Sequence, residues 1–85
     1  MNRVEKFLTE LIGIAKDLSP EAEISTSTVS LEGEDATLRV VVPGEKFDEV
    51  DEQLHRRSYD ILLDEGYHIV VLVYDREELA SRMAA

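Results

Sequence analysis

The pattern of this chain predicts a small α+β domain, a two-layer sandwich with two long helices on one face of a mixed three-stranded sheet. Three observations carry that prediction. Apolar residues recur at helical spacing over residues 4–18 and again over 47–62. They alternate with a period of two over 36–42. A run of consecutive apolar residues, Ile69 to Val73, then reads as a strand buried on both faces. The order is α-β-β-α-β-α, and eighty-five residues make one domain, residues 1–85, with no room for a second.

Each element has a local cause. Val4, Phe7, Leu8, Leu11, Ile12, Ala15 and Leu18 form one stripe of the first helix, with Arg3, Glu5, Lys6, Glu10, Lys16 and Asp17 on the other side. Asn2 is its predicted N-cap, and Ser19-Pro20 stops it, because the residue before proline avoids helical angles. From Ala22 a Ser/Thr-rich stretch carries Ile24, Val29 and Leu31, which suits a strand with a wet face. Ile24 does not share parity with Val29 and Leu31, so a bulge or bend is expected near Thr26 to Thr28. Glu32-Gly33-Glu34-Asp35 reads as a hairpin loop. Ala36, Leu38, Val40 and Val42 then give a second strand with one buried face, ended by Pro43-Gly44.

A second helix is predicted from about Lys46 to Glu65, with Phe47, Val50, Leu54, Ile61 and Leu62 as its stripe and the small Ser58 at a close approach to the sheet. Gly66 suits the position after it, where a left-handed conformation ends a helix. The third strand spans Tyr67 to Tyr74. Asp75 caps a short last helix, Glu78 completes a capping box, and Leu79 and Met83 supply apolar contacts. The first two strands form an antiparallel hairpin, and the helical crossover makes the second and third parallel.

Composition narrows the function. Nineteen acids against nine bases give a formal charge of -10, which repels phosphate backbones and argues against nucleic-acid binding. The 44% hydrophobic content supports a packed core rather than disorder. There is no cysteine to form disulfides or thiolate metal sites, and no apolar run approaches the roughly 18 residues of a membrane span. The expectation is a cytoplasmic protein that uses no cofactor and binds no membrane. Three lysines against six arginines, with the acid excess, also fit work at high salt.

Few residues carry chemistry. His55 and His68 sit on different elements and neither has a second nitrogen ligand at metal-site spacing. Gly13, Gly33, Gly44 and Gly66 are isolated, so no phosphate loop exists. Arg56-Arg57 is expected to offset nearby carboxylates such as Glu52 and Asp60. Glu45, Asp48, Glu49, Asp51 and Glu52 crowd the start of the second helix, where the helix dipole favours negative charge; they also offer a docking surface for a basic protein partner. Glu32, Glu34 and Asp35 lack calcium-loop spacing.

The run Glu34-Asp35-Ala36-Thr37-Leu38-Arg39-Val40-Val41-Val42 resembles a strand of the polymerase-β-type nucleotidyltransferase superfamily, in which an Asp-x-Asp pair is followed by valines. Residues 59–78 are similar to the helix, strand and helix cap that follow in its small members. The resemblance implies paired carboxylates that hold two magnesium ions for nucleotidyl transfer. Asp35 matches the first aspartate, Thr37 stands where the second belongs, and the Gly-Ser motif is absent. The implied metal site at Asp35 and Thr37 is therefore degenerate, and the relative is a stripped one. The same element order also resembles small iron–sulfur-assembly domains, whose cysteine near the second helix is missing here.

Three strands and two helices cannot cover both sheet faces. Val41, Val70, Leu72 and Tyr74 are the residues expected on the uncovered face, with Leu79 and Met83 of the last helix beside them. The sequence thus predicts a non-catalytic interaction or regulatory module that self-associates, most simply as a homodimer, through the outer sheet face. The class-level alternative is a minimal metal-dependent nucleotidyltransferase using Asp35.

Overall fold

A computed structural model describes residues 3–29 and 33–84. Asn2, Leu31 and Glu32, named above as a cap, a strand residue and a loop residue, lie outside the described residues. The elements follow the order α1 (Arg3–Leu18), β1 (Glu23–Ser27), β2 (Ala36–Val42), α2 (Gly44–Glu65), β3 (Ile69–Asp75) and α3 (Arg76–Ala84). The fold is α+β, and the sheet is mixed. Its order is β1-β2-β3, with β1 antiparallel and β3 parallel to the central β2.

One cluster of buried side chains holds the layers together. Phe7, Leu8, Leu11 and Ala15 come from α1, and Val50, Leu54 and Ile61 from α2. They meet Ala36, Leu38, Val40, Val42, Ile69 and Val71 from the sheet, so both long helices lie on one face. Burying this apolar surface is the main favourable term in folding, at about 25 cal/mol per Å². The helices run antiparallel and are joined by two cross-helix ion pairs. Arg3 meets Glu65, and Arg57 grips Glu10 through two nitrogens, the second at 3.1 Å.

Several local expectations are met. Ser19 N–H closes on the Ala15 carbonyl, and Ala22 N–H on that of Ser19, so the proline turn ends α1. Gly66 adopts φ 77° and donates its N–H to the Leu62 carbonyl. Asp75 Oδ1 accepts the N–H groups of Glu77 and Glu78, which caps α3.

Others are corrected. β1 pairs without interruption from Glu23↔Val41 to Ser27↔Thr37, so no bulge occurs within it. The chain leaves the sheet after Ser27, whose Oγ accepts the Val29 N–H, and Val29 is 68% exposed. Its parity mismatch is thus resolved by ending the strand. Helix α2 starts two residues earlier than predicted, at Gly44. Leu62 faces outward, whereas Ser58, expected among the stripe on the sheet side, is buried with Ile61. Arg56 pairs with Glu52 at 2.7 Å as expected, whereas Arg57 reaches across to α1. Glu78 pairs with Arg82 at 2.9 Å, while Glu77 Oε2 accepts the Gly44 N–H at 2.9 Å.

Candidate functional site

Two-residue periodicity sends alternate side chains of each strand away from the helices. The register places nine of them on a grid of three rows. Glu23, Val41 and Tyr74 form the first, Ser25, Arg39 and Leu72 the second, and Ser27, Thr37 and Val70 the third. The β1 column is polar throughout and the β3 column apolar throughout, with β2 mixed between them. In the single chain Glu23, Ser25, Ser27 and Arg39 are exposed, and Val41, Val70, Leu72 and Tyr74 are half-buried. The four residues predicted for the uncovered face are therefore brought together, next to the β3 edge.

Helix α3 touches this face at one end. Leu79, half-buried, shares a recess with Tyr74, Val41, Arg39 and Ile24. Met83 lies one turn further on, 79% exposed and outside that recess. Two interactions set the position of α3. The Glu77 carboxylate caps α2 at Gly44, and Asp75 caps α3 itself. Gly44 makes room for the cap, since a Cβ there would stand 2.8 Å from Asp75 Oδ2 and the carboxylate would have to shift. A hydrogen bond with the Glu77 side chain holds the Asp75 carboxyl below its ordinary pKa, helped by the Glu78 and Glu77 N–H groups and the Arg76 charge.

Asp35 and Thr37, expected from the resemblance as a degenerate metal site, have settings of their own. Asp35 Oδ2 accepts the His68 N–H at 2.7 Å, and Asp35 N–H donates to the His68 carbonyl at 2.8 Å. These bonds tie the two chain segments together just before the parallel ladder begins at Ala36↔Ile69. Thr37 stands on the third row of the grid beside Val70. Among the described residues no group of three or more His, Cys, Asp or Glu side chains is arranged to hold a metal ion, and no helix is long and apolar enough to cross a membrane.

The fold creates one juxtaposition that spacing along the chain did not reveal. His55 and His68 border a common groove, together with Arg56, Tyr59 and Leu62, along the free edge of β3. His55 Nε2 lies 3.0 Å from Asp51 Oδ1. The available signal was the i, i+4 spacing of Asp51-His55 and Glu52-Arg56, which sets those side chains on one flank of α2. Comparison of the chain with protein-family models, with curated proteins and with solved structures finds no match.

Proposed function

We propose that this chain is a non-catalytic interaction module that associates with a second copy of itself through the outer face of the sheet. One observation carries the reading. In a chain of charge -10, the outer grid holds a single carboxylate, Glu23, and a single guanidinium, Arg39, so the face is neutral and its β3 side apolar. A surface free of net charge avoids the like-charge repulsion that the rest of the molecule imposes. No carboxylate among the described residues pairs with Arg39 within one chain; a twofold partner supplies Glu23 of opposite sign from the same surface. Stacked sheets about 10 Å apart would interdigitate Val41, Leu72 and Tyr74 and remove them from water.

Sedimentation velocity over a micromolar concentration series tests this. The expected result is a concentration-dependent dimer or larger species that Leu72→Lys shifts to a smaller one. A wild-type chain that stays monomeric throughout would overturn the reading.

A further inference from the structure

The structure gives the two edges of the sheet opposite characters, and we propose from this that β3 is a second self-association surface. On this reading it pairs antiparallel with β3 of another copy to make a continuous six-stranded sheet.

An edge strand carries a row of unpaired backbone N–H and C=O groups, and monomeric proteins blunt such edges with short strands, charges or proline. The β1 edge is blunted: five residues, beginning with Glu23, almost wholly exposed and otherwise rich in Ser and Thr. The β3 edge is not. Of its seven residues the first six, Ile69 to Tyr74, carry no charge, proline or glycine, and only the last, Asp75, is charged. Beside it α2 leaves the open groove bordered by His55, Arg56, Tyr59 and Leu62, and no carboxylate lines that groove despite nineteen acids in the chain.

One feature selects a second copy as the occupant. The apolar column of the outer grid is off-centre, on the β3 side. Joining two chains at β3 moves both columns to the middle of the joint sheet, with the polar β1 columns at its rims. That is the arrangement expected of a sheet whose centre is to be covered.

The inference goes beyond the face-to-face reading and does not depend on it. The edge twofold is perpendicular to the sheet and the face twofold parallel to it, so where the two axes intersect they close a tetramer of two stacked six-stranded sheets rather than an open fibre.

The chain has no cysteine, so an introduced pair is a clean reporter. A disulfide needs Cα atoms about 4.4–6.8 Å apart. Residues directly opposite across an antiparallel edge pair lie at about 4.5–5.5 Å, whereas stacked sheets stand about 10 Å apart. Val70→Cys combined with Leu72→Cys spans the three registers centred on Val70, Val71 and Leu72. Mild oxidation of the full chain is expected to link most of it as disulfide dimers, while Ser25→Cys with Ser27→Cys on β1 gives none. Absence of β3 cross-links, or equal cross-linking at β1, would overturn the proposal. Amide exchange on the unaltered chain supplies a second readout. Protection of consecutive β3 amides that fades on dilution supports the edge pair, and alternate β3 amides exchanging freely at every concentration would overturn it. A chain that cross-links at β3 yet sediments no larger than a dimer would retain the edge and discard the face; a dimer without cross-links would do the reverse.

Discussion

The two faces of the sheet are built from the same three strands, yet they differ in what defines them. On the inner face Ala36, Leu38, Val40, Val42, Ile69 and Val71 are all buried under α1 and α2. On the outer face the neighbours of these residues along the chain are sorted by strand, polar on β1, mixed on β2 and apolar on β3. The inner face is thus determined by its cover, and any residue there must be apolar. The outer face has only the end of α3 against it, so nothing within the chain requires its β3 column to be apolar. The difference teaches that the apolar β3 column does not belong to the core. On the proposed reading it is the contact surface for a second copy.

The sharpest way to break this comparison is to truncate one residue from each face. Leu38→Ala is expected to lower stability by about 2–5 kcal/mol, because it opens a cavity in a close-packed layer. Leu72→Ala, measured by the same urea titration at concentrations below association, is expected to cost about 1 kcal/mol or less. Equal losses would mean that the outer face is as fully covered as the inner one.

The next largest effect lies at the junction that seats α3 against the outer face. Gly44→Ala would press a methyl group onto Asp75 Oδ2 and force the α3 cap to shift. A loss of about 1–2 kcal/mol is expected, with amide exchange rising first in α3. Asp35→Ala removes the acceptor of the His68 N–H at the foot of the apolar column and is expected to cost about 1 kcal/mol, while Asp35→Asn, which keeps an acceptor, restores most of it. Thermal unfolding of the two variants side by side checks this.

The smallest effects are electrostatic. Arg57 holds the Glu10 carboxyl below its ordinary pKa, chiefly by hydrogen bonding, with Lys6 adding a weaker pull. A lowered folded-state value contributes stability at pH above the unfolded pKa, and the contribution disappears as pH falls through the folded value. Both side chains are partly exposed, so Glu10→Gln should cost only about 0.5 kcal/mol at neutral pH. That deficit should vanish in acid, as paired urea melts would show. The Asp75 carboxyl follows the same sign. Its capping of α3 is complete above the ordinary aspartate range and fails as the solution is acidified through its lowered value. Relative to the intrinsic exchange rate at each pH, protection of the α3 amides should therefore be lost in acid before that of α2; simultaneous loss would show that α3 is not a separable cover. Added salt, by screening a charge of -10, should strengthen self-association.

Much of the fold was legible because it follows from period and punctuation. The α1 stripe, the alternation from Ala36 to Val42, the Gly66 stop and the Asp75 cap each depend on residues within a turn or two. What misled was parity carried past its element. Val29 was assigned to β1 by an apolar rhythm that the strand itself abandons at Ser27. Leu62 fits the α2 stripe by spacing, yet it turns outward at 38% exposure, while Ser58 and Ile61 take the buried side as their spacing implies. The partner of Arg57 was likewise hidden, because helical neighbour rules see Asp60 and cannot see Glu10 on another helix.

The candidate surface shows the same division. That Val70, Leu72 and Tyr74 share a face follows from the two-residue repeat, and that α1 and α2 leave one face open follows from counting layers. Which strand would stand at the edge did not follow. A hairpin fixes β1 beside β2, but a helical crossover permits β3 on either side of that pair, since both placements satisfy the local chain geometry. Only packing chose the order β1-β2-β3, with α2 seated over β3 and α1 bridging to β2. The sequence by itself determined which residues are apolar and how they repeat along each element. Tertiary structure alone decided where the bare edge lies and which charges meet between helices, because those depend on contacts between segments far apart in the chain, which no local periodicity encodes.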